Sequence, residues 1–247
     1  MDRLIYTAMT GAAHVLQQQA AVSENLANVN TPGFRAALHT FRAVPLLGEG
    51  LATRIFVVDS TVGANFTSGP IQQTGRELDV AVQGAGWIAV QGADGKEAYT
   101  RNGSLQLTPN GVLQTRTGLN VAGDGGTITI PPDTDITIAK DGTISTVPSG
   151  SSATSVIVVG RLKLVNPASE QLERGGDGLF RLKDGTTAIA DANVGVISGS
   201  LEGSNVNSVE EMVNMISLAR KFEMQMKILQ SADNNARQSS QLMSISG

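Results

Sequence analysis

Cysteine is absent from the 247 residues, which excludes disulfides, thiol nucleophiles and thiolate metal sites. Histidine occurs only at His14 and His39, too few for an imidazole-rich metal centre. The net charge is −4, and no Lys/Arg cluster is interleaved with aromatics, so nucleic acid is not expected as a partner. The longest apolar runs, such as Val156 to Val159, fall far short of the roughly 20 residues a spanning helix requires. Asp2-Arg3 is followed by only Leu4-Ile5-Tyr6 before Thr7, so the start reads as lacking the apolar core of a secretory signal, and no membrane insertion is expected.

Catalytic signals are equally scarce. Glu77 and Asp79 share a strand face, as do Asp133 and Asp135, but no histidine or second carboxylate pair accompanies them, and solvated faces or turn contacts are the better reading. Gly84-Ala85-Gly86-Trp87 imitates a dinucleotide fingerprint, yet the fingerprint needs a helix after the glycines and a strand follows here. Arg174, Arg181 and Lys183 read as solvated surface. An enzyme, a cofactor and a small-molecule substrate are therefore not expected.

The ends of the chain are patterned differently from its middle. Near the N-terminus Ile5, Ala12, Gln19 and Leu26 recur every seven residues, interleaved with Ala8, Val15, Val22 and Val29, which is an a/d seam with one polar break. This helix runs from Asp2 to about Asn28 and is stopped by Thr31-Pro32-Gly33. Near the C-terminus Met215, Phe222, Leu229, Ala236 and Met243 recur in the same way, flanked by Met212, Ala219 and Met226. That helix begins at Ser208, with Glu211 three residues on as a capping box. Burying the large residues of one seam is worth on the order of 10 kcal/mol, against about 1–2 kcal/mol of ordering entropy per residue. One seam is thus insufficient, and the helices are expected to order against each other and against neighbouring copies.

Between them, 28 glycines, 4% aromatics and many Thr and Val favour turn-rich strands. Residues 35–75 read as an extended connector with a strand at Arg54 to Val58. From Glu77 onward strands alternate with Asp94-Gly95, Asn110-Gly111, Asp141-Gly142 and Asp184-Gly185 turns, which are strong hairpin signals. The fold class is α+β. Residues 1–34 and 205–247 are expected to form a split, coiled-coil-like helical domain, and residues 76–204 an all-β domain.

Several segments carry a resemblance. Ser23-Glu24-Asn25-Leu26-Ala27-Asn28-Val29-Asn30-Thr31-Pro32-Gly33-Phe34-Arg35 resembles the N-terminal signature of bacterial flagellar rod and hook proteins. Leu78 to Trp87, Tyr99 to Ser104, and Leu201-Glu202-Gly203-Ser204-Asn205-Val206-Asn207 with Glu211-Met212 resemble later blocks of the same family. The start, Met1 to Met9, and Phe41 to Pro45 look most like its proximal-rod members. The resemblance implies a basal-body rod subunit, exported by the flagellar type III apparatus without signal cleavage and assembled in the periplasmic space. Its partners would be other proximal and distal rod subunits, in a hetero-oligomeric tube that encloses the channel and transmits torque. The assembly interface is expected at Ile5, Val15, Val22, Asn25, Leu26 and Asn28, at Pro32, Gly33 and Phe34, at Asn205 and Val206, and at Met212, Met215, Phe222, Met226 and Leu229. Asn25, Asn28, Asn205 and Asn207 are expected either to fix register between subunits or to serve as helix-end and turn residues.

Overall fold

A computed structural model describes residues 2–45, 55–148 and 156–245. The first residue of the expected Arg54 to Val58 strand lies outside these residues. The chain divides into two compact units, one of Met1–Val29, Ala37–Ala64 and Val206–Gly247, the other of Asn30–Ala36 and Asn65–Asn205.

The first unit holds helix α1 (Asp2–Ala27), strands β1 (Ala37–Pro45) and β2 (Ile55–Ala64), and helix α2 (Ser208–Ile245). The strands form an antiparallel pair with a register shift at Thr40/Phe41. The helices pack antiparallel. A methyl placed on Gly11 would come within 3.1 Å of the Gln225 amide, and Asn25 bonds Glu211, so fourteen residues along α1 answer to fourteen residues back along α2. The buried face of α1 carries Ala8, Ala12, Val15 and Ala21. Small side chains let the axes approach closely but bury little area, while the larger buried side chains Val15 and Leu218 contribute about 1.5–3 kcal/mol each.

The helix ends are set by side chains. Asn28 donates its amide to the Glu24 carbonyl at the end of α1. At the start of α2, Asn207 accepts the Val209 and Glu210 N–H groups. The cap is therefore Asn207, not the expected Ser208 and Glu211 box, and the Glu211 carboxylate is used across the helix pair instead. Among the described residues no helix is long and apolar enough to cross a membrane.

The second unit is built from short strands. In chain order they are β3 (Ile71–Gln73), β4 (Val80–Gln83), β5 (Trp87–Gln91), β6 (Glu97–Thr100), β7 (Leu105–Leu107), β8 (Leu113–Thr115), β9 (Ala122–Gly123) and β10 (Gly126–Thr127). There follow β11 (Thr134–Ile138), β12 (Thr143–Pro148), β13 (Ile157–Arg161), β14 (Leu164–Val165), β15 (Leu172–Arg174), β16 (Phe180–Leu182), β17 (Gly195–Ser198) and β18 (Ser200–Glu202). The largest sheet has the order β14-β5-β6-β16-β15 and a second has β11-β12-β13. Asp94-Gly95 and Asp141-Gly142 close the β5–β6 and β11–β12 hairpins, whereas the Asp184-Gly185 turn closes none and leads from β16 into an irregular segment. Asp94, Asp141 and Asp184 each accept the N–H two residues on, and the glycine between takes a positive φ. Alternating strands bury Val80, Val82, Ile88, Val90, Leu105 and Leu113 in one core. Gly84-Ala85-Gly86 forms the β4–β5 turn, which delivers Trp87 to the interior.

Candidate assembly surface

On α1, the predicted seam residues Ile5, Val22 and Leu26 are half-buried and Val15 is buried, on the side facing α2. A second stripe lies on the opposite side. Tyr6 is 58% exposed, Met9 54% and Leu16 51%, and exposed Ala13 and Ala20 complete a three-four spacing. No Lys, Arg, Asp or Glu occurs between Leu4 and Ser23. From Leu4 to Ser23 α1 therefore sets no charged face against solvent beside this apolar stripe, its charges Asp2, Arg3 and Glu24 lying at the two ends.

On α2 the covered residues are Glu211, Met215, Leu218, Phe222, Gln225, Leu229 and Ala232, again at alternating steps of four and three. Met215, Phe222 and Leu229 are where the pattern predicts. Met212 and Met226 are not in the seam of this chain, because Leu218, Gln225 and Ala232 take the flanking row. Met212, Val213 and Ile216 are at least half exposed and form a further apolar patch beside Val209. The side chain of Met243 lies outside the described ones.

Next to this patch an open groove of about 280 Å³ is lined by Gln18, Asn25, Leu38, Glu211, Leu218 and Lys221. Buried Asn25 closes one side of it. Its Oδ1 accepts the Ala37 N–H at 2.8 Å, and its amide donates to the Ala37 carbonyl and the Glu211 carboxylate. Asn25 is thus a fastener within the chain.

Asn205 does the same work in the second unit. Its Oδ1 accepts the Ala36 N–H at 2.7 Å, and its amide donates to the carbonyls of Asn65 and Thr67. Val206, which follows it, is half-buried. Gly33 donates its N–H to the Glu202 carbonyl, half-buried Pro32 precedes it, and Phe34 lies under the Arg174 guanidinium at 4.8 Å. Arg174 therefore does not share a surface with Arg181, which pairs with Asp177 and Asp94.

One feature escaped the sequence pattern. Glu202 bridges two buried arginines, with Arg35 Nη2 at 2.8 Å and Arg101 Nη1 at 2.9 Å. Burial pulls the Arg101 guanidinium below its ordinary pKa, against the pull of Glu202 and with the push of Arg35. Asp79, expected on a solvated face or in turn contacts, is buried and accepts from Thr74, Arg76 and Ser104.

Three family models match separate stretches of the chain. The family model described as "Flagella basal body rod protein" matches residues 5–35, the "Flagellar hook protein FlgE/F/G D1 domain" matches 81–146, and the "Flagellar basal body rod FlgEFG protein C-terminal" matches 197–242. Over all of both chains, the sequence is 52% identical to the flagellar basal-body rod protein FlgF of Escherichia coli K12 and 51% identical to that of Salmonella typhimurium LT2. It is 33% identical to the flagellar basal-body rod protein FlgG of Agrobacterium fabrum, covering 95% of this chain and 97% of the relative.

Proposed function

The chain belongs to the flagellar basal-body rod protein family and is a structural subunit of that rod; from this premise we propose that it occupies the proximal rod and polymerises through its terminal helices. The 52% and 51% identity to the FlgF proteins of Escherichia coli and Salmonella, against 33% to the FlgG of Agrobacterium, agrees with the likeness of Met1 to Met9 and Phe41 to Pro45 to proximal-rod members and supports the proximal position. In this reading residues 1–34 and 205–247 make a split, coiled-coil-like inner domain, the 35–75 segment is not a bare connector but adds the β1–β2 pair to the helices' unit, and residues 76–204 form an outer β-domain.

The observation that carries the polymerisation is the uncovered stripe of α1, Tyr6, Met9, Ala13, Leu16 and Ala20, within the uncharged stretch from Leu4 to Ser23. Other rod subunits cover it, and the Val209–Ile216 patch of α2 offers a second contact. The residues already covered within the chain, among them Val15, Val22, Leu26, Met215, Phe222 and Leu229, set the stiffness of each helix pair, while Met212 and Met226 face neighbours. Distributed packing of this kind suits a tube that encloses a channel and transmits torque. The chain reaches the periplasmic space through the flagellar type III export apparatus.

Leu16→Asp tests this directly, since it puts a charge into the stripe without touching the seam to α2. In cells lacking the native copy, basal bodies isolated from the variant strain should contain none of the chain and the cells should not swim. Normal swimming with the variant in place would show that α1 is not covered there.

A further inference from the structure

The ion cluster around Glu202 sits at a singular place in the connectivity. The chain passes from one unit to the other at 29/30, 36/37, 64/65 and 205/206. Inside the second unit, the segments flanking all four passages are tied to two neighbouring residues. Glu202 holds Arg35 through its carboxylate and Gly33 through its carbonyl, and also accepts the Gly69 N–H at 2.9 Å. Asn205 holds Ala36, Asn65 and Thr67. Asn65 donates its own N–H to the Ala36 carbonyl at 2.8 Å.

The chemistry of this knot is not that of an efficient stabiliser. Arg35, Arg101 and Glu202 together carry one positive charge in excess, and all three side chains are at most 4% exposed. Arg35 Nε and Nη1 and Arg101 Nε have no hydrogen-bond partner. Both guanidinium carbons lie within 6 Å of the Trp87 ring, Arg101 at 5.5 Å and Arg35 at 5.9 Å. The ring's electron-rich face supplies part of the missing compensation, and Phe66 and Phe180 fix its position. A buried ionic cluster of this kind is readily bettered in stability by apolar side chains, and its attested use is to permit one arrangement and forbid others.

We propose that Arg35, Arg101, Glu202 and Trp87 form a registry lock, whose role is to hold the four chain passages in one arrangement rather than to stabilise the β unit. The lock closes only when residues 167 apart in sequence meet, so the root of the N-terminal segment is fixed by the arrival of the C-terminal one. Mispaired arrangements leave a charge buried without its partner.

The test is an apolar replacement of the whole cluster in the full chain, Arg35→Met with Arg101→Met and Glu202→Leu. The reporters are the amides of Gly33, Ala36 and Asn65, whose acceptors are all retained in the variant. The proposal expects an unchanged or raised melting temperature together with at least tenfold faster hydrogen exchange at these three amides, while amides of the β5–β6 pair exchange as before. Trp87 is the only tryptophan, and its emission should shift as the cluster is lost. Unchanged exchange at the three amides overturns the proposal. If the triple variant does not fold, Glu202→Gln is measured in its place and the same selective acceleration is expected. Loss of β5–β6 protection in step with the three amides, or failure of both variants to fold, would make the cluster an ordinary core element and also overturns it. All arms read the isolated chain, so failure here leaves the rod assignment untouched.

Discussion

Asn25 donates its side-chain amide to the Glu211 carboxylate at 2.8 Å, joining helices whose residues here are 186 apart in sequence. The same side chain satisfies both the N–H and the C=O of Ala37 at the root of β1. Asn25→Ala leaves these groups without a partner at a buried position, which costs about 1–3 kcal/mol. Urea titration followed by helical circular dichroism should show that loss. Asn28→Ala, which removes a contact at the exposed helix end, should cost less than 1 kcal/mol, or about half a typical cap.

The division of α2 into a covered and an uncovered row makes a contrast between two neighbours. Leu218 is 6% exposed and Met212 is 50% exposed. In the isolated chain Leu218→Ala should destabilise the helix pair by about 2–3 kcal/mol, and Met212→Ala should stay within about 0.5 kcal/mol. The order should reverse in cells for charged replacements confined to the outer row. Met212→Asp should lower the amount of chain recovered in basal bodies while leaving its melting temperature unchanged.

Gly33 and Gly84 separate two reasons for a glycine. Both take a positive φ, 69° and 74°. A methyl on Gly33 would lie 2.2 Å from the Arg101 carbonyl carbon, whereas nothing lies within 4 Å of one on Gly84. Gly84→Ala should cost only the backbone strain of about 1–2 kcal/mol. Gly33→Ala should cost several-fold more, seen as a much larger drop in melting temperature and as protease cleavage around residues 30–36.

Tyr99 gives a pH signature. Its hydroxyl donates to Glu97 Oε1 at 3.0 Å and accepts the Ala188 N–H at 2.6 Å. Burial in the first place, with Glu97 adding to it, pushes the phenol up to about 12. Folding therefore favours the neutral form. That contribution is complete below the unfolded value near 10 and is lost as pH rises through 12. Stability should fall between pH 10 and 12 by on the order of 2–3 kcal/mol more in the native chain than in Tyr99→Phe, measured as paired denaturant titrations.

Much of this architecture is written locally. The seven-residue recurrence of Ile5, Ala12 and Leu26 marks the face of α1 that packs, and Asp94-Gly95 and Asp141-Gly142 mark hairpins, because each rests on neighbours within a few residues. The row shared by Met215, Phe222 and Leu229 is equally plain. Its flank is not. Met212 and Met226 are more apolar than Gln225 and Ala232, yet the latter are covered, because Gly11 leaves room for Gln225 and Asn25 engages Glu211. Both facts belong to the opposite helix. The Glu202 cluster was invisible for the same reason, since three charges spread over 167 residues make no pattern until the fold assembles them.

The absence of cysteine permits the most direct check on the proposal that neighbours cover α1. A single Leu16→Cys chain carries one thiol, at a position 51% exposed in the isolated protein, and can be reacted with a small maleimide both free in solution and within purified basal bodies. Rapid labelling of the free chain and at least tenfold protection in the basal body is the predicted result. Equal labelling in both states would contradict it.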